Sequence, residues 1–373
     1  MGINKKLFTG DAGGLVAAEN FAPVIYTGSS GTGGTKNVTG VGFEADLIWI
    51  KNRDTTAAPT LFNSVSGENA RGYYLQLVSN DTDYEAERDS TGWETPYGGL
   101  TTISSDGFTV EHGNSTAAYI YNGGSKNFVA WCWKAPDSFS HSASGSQLAS
   151  TGKSNQSAGF SIVSYTGNNS SGATVKHNLG GTPELMIVKR RDATSDWDVY
   201  SATTGETKYL ILDTNQSVLT ASNIWNNTVP DDSVFTIGNH SSVNANSGTY
   251  IAYCFKSVSG YSKIGAYDGH TTNATRIYTT DNGSSGGANG FTPRFVMIKR
   301  TDSTGDWFIY DSVRGNTAGT GAPAILFPNS SEAEYTINNT ALYMTFHSDG
   351  FQPATGDSGI NGTSRTFLYY AIA

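Results

Sequence analysis

The sequence predicts an all-β protein made of three tandem antiparallel β-sandwich domains behind an N-terminal arm. Composition is the first observation behind this reading. Of 373 residues 44 are Gly, 12% are aromatic and only 15% are charged, where soluble domains usually carry about 25% charge. Gly, Ser, Thr and Asn supply turns, and Val, Tyr and Phe fit pleated, half-buried strands. Disordered chains are poor in aromatics and coiled coils are rich in Ala, Glu, Lys, Leu and Arg, so neither class fits. The second observation is internal repetition. The third is a set of apolar runs of strand length, with tight Gly-rich connections and no long helical periodicity between them.

Each copy opens with a related strand: Val24-Ile25-Tyr26-Thr27-Gly28, Val163-Ser164-Tyr165-Thr166-Gly167 and Gly265-Ala266-Tyr267-Asp268-Gly269. Next comes an apolar strand with a polar exit: Leu47-Ile48-Trp49-Ile50-Lys51, Leu185-Met186-Ile187-Val188-Lys189 and Phe295-Val296-Met297-Ile298-Lys299. Three residues after each Lys stands an Asp (Asp54, Asp192, Asp302). Such continuous apolar runs suit central strands covered on both faces. A second strand and turn follow, as in Ile309-Tyr310-Asp311-Ser312-Val313-Arg314-Gly315. Later Ser105-Asp106-Gly107-Phe108 and Ser348-Asp349-Gly350-Phe351 mark a turn into a strand, matched by Asp232-Ser233-Val234-Phe235. Each copy closes on an aromatic strand: Phe128–Trp133, Tyr250–Phe255 and Phe367–Ile372. The copies repeat at roughly 120 residues, too long for a solenoid unit and right for a sandwich or jelly roll.

The expected divisions are an arm at 1–21, sandwiches at 22–134, 159–257 and 258–373, and a linker at 135–158. That linker reads as flexible because it is rich in Ser, Gly, Ala and Gln. Cys132 and Cys254 occupy the same slot in successive copies and Ala371 takes it in the third. The slot therefore reads as a small buried core site with reduced thiols, as expected of a protein assembled in a cytoplasm.

A net charge of −9 argues against nucleic acid, whose binding is dominated by cationic contacts to phosphate. No apolar run is long enough to insert in a membrane. Gly356-Asp357-Ser358-Gly359 has the look of a serine-nucleophile segment, but no partner His–Asp pair is recognisable, so it reads as a turn. Thr151-Gly152-Lys153-Ser154 lacks the first glycine of a phosphate loop. Glu44 and Asp46 suggest paired glycosidase carboxylates, yet the pattern vanishes in the other copies. The six histidines show no metal-ligand spacing, and Asp231-Asp232 and Asp281-Asn282-Gly283 fall short of a calcium ligand ladder. No catalytic residue, metal or cofactor is assigned, and the chain reads as a non-enzyme.

A binding role remains. Flat sugar faces stack on Trp or Tyr while Asn and Asp take hydroxyls, so polar loops dotted with aromatics suit carbohydrate. The first copy has a stretch unmatched elsewhere, Asp81 to Gly99, and its Tyr84, Trp93 and Tyr97 are the candidate ligand-binding residues.

With these residues laid out, the chain resembles tail-fibre and related virion proteins of marine and cyanobacterial bacteriophages. The likeness rests on Gly42-Phe43, Leu47–Arg53, Asp311–Gly315, the Ser-Asp-Gly-Phe turns, Ala130-Trp131-Cys132-Trp133-Lys134, Gly260–Gly265 and Thr292-Pro293 leading to Lys299–Asp302. It covers roughly residues 22 to 373. The resemblance implies concanavalin-like, lectin-type jelly rolls on a virion appendage, with no catalytic set to carry over. It implies a tail-fibre or adhesin subunit binding host surface glycan, made in the bacterial host cytoplasm and located in the virion. A homo-oligomer is expected, a trimer by preference, with residues 1–21 docking to other virion proteins. The alternatives are a capsid fibre or decoration protein attached through that arm and, third, a polysaccharide-degrading tailspike.

Overall fold

The computed structural model describes residues 15–29, 33–69, 72–85, 98–113, 120–270, 275–315, 324–335 and 340–373. Within them the chain is all-β, built of several antiparallel sheets with only single-turn helices. The repeat seen in the sequence is a repeat of topology. In each copy the opening strand (Phe21–Thr27, Phe160–Thr166, Ser262–Asp268) pairs with the closing strand (Asn127–Trp133, Thr249–Phe255, Thr366–Ile372). The closing strand pairs in turn with the apolar strand (Leu47–Asn52, Leu185–Arg190, Phe295–Arg300), which pairs with an exit strand (Thr60–Asn63, Trp197–Ser201, Trp307–Asp311). The last strand of each copy is thus central, and its ladders run the full length of both neighbours.

A smaller outer sheet faces each of these inner sheets. It contains Thr35–Thr39 and Gly107–His112 in the first copy, Ala173–Lys176 and Val234–Ile237 in the second, and Ile277–Tyr278 and Gly350–Pro353 in the third. Side chains alternate across a strand, and the inner strands use both faces. Ile48 and Ile50 meet Val38, Phe108 and Val110 between the two sheets of the first copy. Leu47 and Trp49 point the other way, into a core shared by all three copies. Met186 and Val188 against Leu185 and Ile187 divide likewise, as do Val296 and Ile298 against Phe295 and Met297. Every residue of these runs had to be apolar because two interiors claim them. Each buried large side chain contributes up to about 1.5–3 kcal/mol. Between Trp49, Tyr253, Met297 and Tyr370 the shared core leaves a gap of about 20 Å³, so the centre is packing and not a ligand chamber.

Three expectations are corrected here. The segment 135–158 contains two strands, Asp137–His141 and Ser150–Asn155, which extend the second inner sheet beyond its opening strand. Its small residues serve close approach: a Cβ on Gly152 would lie 1.9 Å from the Ile162 carbonyl. Residues 15–21 are no free arm. Leu15 and Ala17 pack on the shared core, Phe21 belongs to it, and Asn20 accepts a 2.7 Å bond from Asn155. Residues 1–14 lie outside the described residues. Finally, Thr82–Glu85 does have equivalents in the other copies, as the joints show. Cys132 and Cys254 are buried, unpaired and turned toward the separate cores of their copies. Burial raises both thiols, that of Cys254 to about 12, which leaves them inert.

Candidate functional site

The chain's buried charge is concentrated where the copies meet. The lysines at the ends of the apolar strands, Lys51, Lys189 and Lys299, have no exposed surface. Each Nζ donates to a carbonyl six residues on in its own copy (Ala57, Ser195, Gly305) and to one in a neighbouring copy. Those outside acceptors are Ser330 in the third copy at 3.0 Å, Thr82 in the first at 2.7 Å and Asn215 in the second at 3.2 Å. The direction is cyclic: first onto third, second onto first, third onto second. The copies close head to tail into a ring.

Backbone bonds repeat the same cycle. The N–H groups of Ala57, Ser195 and Gly305 donate at 2.8 Å to the carbonyls of Ser331, Thr82 and Asn215. Three residues beyond each acceptor, Glu334, Glu85 and Val218 donate back to Arg53, Arg191 and Thr301. Two of the three joints add ion pairs, Arg53 with Glu334 and Arg191 with Glu85, at 2.7 and 2.6 Å; the third has Thr301 and Val218 there. Trp197 Nε1 donates to Val78 and Trp307 Nε1 to Ile211, each across a joint at 3.0 Å. The lysines of the same copies sit over these rings. Pro59 takes the tryptophan's place in the first copy. Burial lowers the lysine ammonium groups, Lys51 to about 7 and Lys189 and Lys299 to about 8.

The joint between first and third copies is reinforced. Arg314 and Asp311 are fully buried, pair at 2.6 Å, and receive Trp131 Nε1 of the first copy on Asp311 at 2.8 Å. Arg314 also reaches Glu334 at 2.9 Å, so one carboxylate is held by arginines of two copies.

Of the three residues expected to bind ligand, Tyr84 lies within the described residues. Tyr84 is 57% exposed, but its neighbours Thr82 and Glu85 form the joint to the second copy. Trp93 and Tyr97 lie outside the described residues. Asp46 holds structure: its carboxylate accepts from Lys153 and Ala135 N–H at 2.7 Å each, tying the Ser150–Asn155 strand to the first copy. Asp357 caps a turn by accepting from Gly359 N–H. The joint lysines escaped notice because a Lys at a strand end ordinarily reads as a solvated exit. Their threefold recurrence was the available signal.

An open concavity lies in the third copy, a cleft of about 470 Å³ between the opening strand and Ile277–Tyr278. Its walls carry Tyr267, Asp268, His270, Arg276, Tyr278 and Asp281. Arg276 is held by Asp349 at 2.9 Å and lies over the Tyr278 ring. Lys263 donates to the Asp281 carbonyl at 2.9 Å. Asn289 and Ser259 hold the Asp281 carboxyl below its ordinary range through hydrogen bonds. Aromatic faces stand there beside mixed donors and acceptors, and among the described residues no nucleophile–base pair is assembled. Among the described residues no group of His, Cys, Asp or Glu is arranged to hold a metal.

No curated protein and no solved structure matches the chain. One family model spans all three copies and both connections between them, and by that match over residues 17–373 the chain belongs to the family described as "Domain of unknown function (DUF7483)".

Proposed function

We propose that the protein is a non-enzymatic virion structural protein, a tail-fibre or adhesin subunit that presents three concanavalin-like jelly rolls to host surface glycan. The observation that carries this reading is the ring: the buried lysines and the arginine–glutamate pairs across two joints lock the copies together, as a rigid scaffold requires. On the outer surface the exposed ring of Tyr84 stands among polar neighbours, the chemistry that sugars need. The sequence resemblance to phage fibre proteins supplies the setting. Purified protein is expected to bind a subset of bacterial surface polysaccharides on a glycan array and to compete with virion adsorption to whole cells. Absence of both effects would remove the receptor role.

A capsid-fibre or decoration role is the second reading. Leu15, Ala17 and Phe21 anchor the N-terminal segment on the shared core, so an attachment through it would join a partner firmly to the ring. Truncation of residues 1–14 separates the two readings: glycan binding survives it, whereas incorporation into the particle does not.

A further inference from the structure

The three copies treat one sheet edge differently, and the difference singles out the third. In each inner sheet the opening strand has the closing strand on one side only. Sheet edges left with free N–H and C=O groups are templates for another strand. In the second copy the chain covers this edge itself: Ser150–Asn155 pairs along the opening strand, with Thr151 opposite Ser164. Just before it, Leu148 enters the core of that copy. The adjacent backbone clasps the outer sheet, Leu148 N–H donating to Thr174 and Thr174 N–H to Ser146, at 2.8 and 2.9 Å. In the first copy Pro23 stands on the edge and removes a donor.

The registers place Ala266 where the second copy has Ser164, and Arg276 where it has Thr174. Ile264 N–H donates away from the sheet, to Ser257 Oγ at 3.0 Å, and the Ser262 carbonyl accepts from Val258 N–H on that side. By strand alternation the N–H and C=O of Ala266 and the N–H of Asp268 face the same way. Among the described residues none of these, nor the backbone of Arg276, has a partner. The cleft is the space that Ser146–Lys153 fills one copy earlier.

We propose that this cleft is a strand-accepting slot for an extended peptide of another protein. Its sequence chemistry is that of Leu148–Lys153: one aliphatic residue, then small and hydroxyl-bearing residues with no charge until the last. The peptide adds antiparallel to Ser262–Asp268 through Ala266 and Asp268 and clasps Arg276 from its other edge. Its small residues allow the close approach that Gly152 allows in the second copy. This inference does not depend on the virion setting.

The test uses the full chain and a synthetic peptide of residues 145–155 as probe, with amide hydrogen exchange read by mass spectrometry. The expected result is at least fivefold slower exchange over 262–270 at saturating peptide. A scrambled peptide, or one N-methylated at the position of Thr151, is expected to give no slowing. An Ala266→Pro variant that keeps its far-UV spectrum is expected to lose binding. Several outcomes would overturn the proposal: no protection at millimolar peptide, equal protection by the scrambled peptide, or protection confined to 160–166 by exchange with the chain's own strand. Protection of the cleft by oligosaccharide and not by peptide would also overturn it, making the cleft a sugar site.

Discussion

A lysine with no exposed surface must find acceptors or lose its proton, and Lys51, Lys189 and Lys299 are placed to do either. Each ammonium lies between two carbonyls of different copies, and burial lowers it to about 7 or 8. In the unfolded chain the same groups titrate near 10.4. Between those limits the unfolded state binds more protons, so unfolding free energy rises with pH across this window. Urea unfolding is expected to give a more stable protein at pH 9.5 than at pH 7. Lys299→Met should cost about 1–3 kcal/mol at pH 9.5, from the carbonyls left unpaired, and should flatten that rise. A rise of equal size in the variant would show that other groups carry it. None of this follows from the sequence at one site. The identity of the residues was readable, but their burial depended on a neighbouring copy whose acceptors lie 279, 107 and 84 residues away.

At the scale of elements, the repeated strands were legible because both their faces are apolar, and their short length and β-branched and aromatic content mark such runs as strands. The stretch 135–158 misled because Ser, Gly and Ala mean flexibility in a linker and close packing in a sheet. Lys153 and Gly152 only declare their part beside Asp46 and Ile162. The candidate ligand residues are a related case: aromatic content marks a loop as sticky without saying what it touches, and Tyr84 stands exposed beside a joint. The joint of first and third copies is where an element-scale change should matter most. Glu334→Ala leaves Arg314, whose side chain has no exposed surface, with Asp311 as its one remaining carboxylate, and frees Arg53. Chemical denaturation is expected to show a loss of about 1.5–3 kcal/mol, as when a buried hydrogen bond between charged groups is removed. Glu85→Ala, at the more exposed Arg191, should cost less. The reverse order would mean that the Arg314 cluster is not what holds the ring closed.

For the whole molecule, a threefold association was expected between chains, yet a threefold is already present within one. The apolar faces of the inner sheets are buried in the shared core. Large exposed apolar side chains among the described residues are scattered, at Val16, Ile25, Tyr84 and Val229. Sedimentation equilibrium is therefore expected to return the mass of a single chain at micromolar concentration, with one cooperative unfolding transition for all three copies. A trimer mass, or three separable transitions, would contradict this reading.

The joints differ in a way that follows their covalent ties. Second and third copies are joined by the short turn between Phe255 and Ser262, and no ion pair spans them among the described residues. First and second copies, joined by the longer strand-bearing segment, share Arg191–Glu85 and Lys153–Asp46. Third and first copies have no peptide link between them, and there the fork of Arg53 on Glu334 is backed by Arg314. A tether holds its partners at high effective concentration and makes weak contact sufficient. Where no tether runs, the affinity must be written into side chains, and the seam without a peptide link is the one with the most extensive latch.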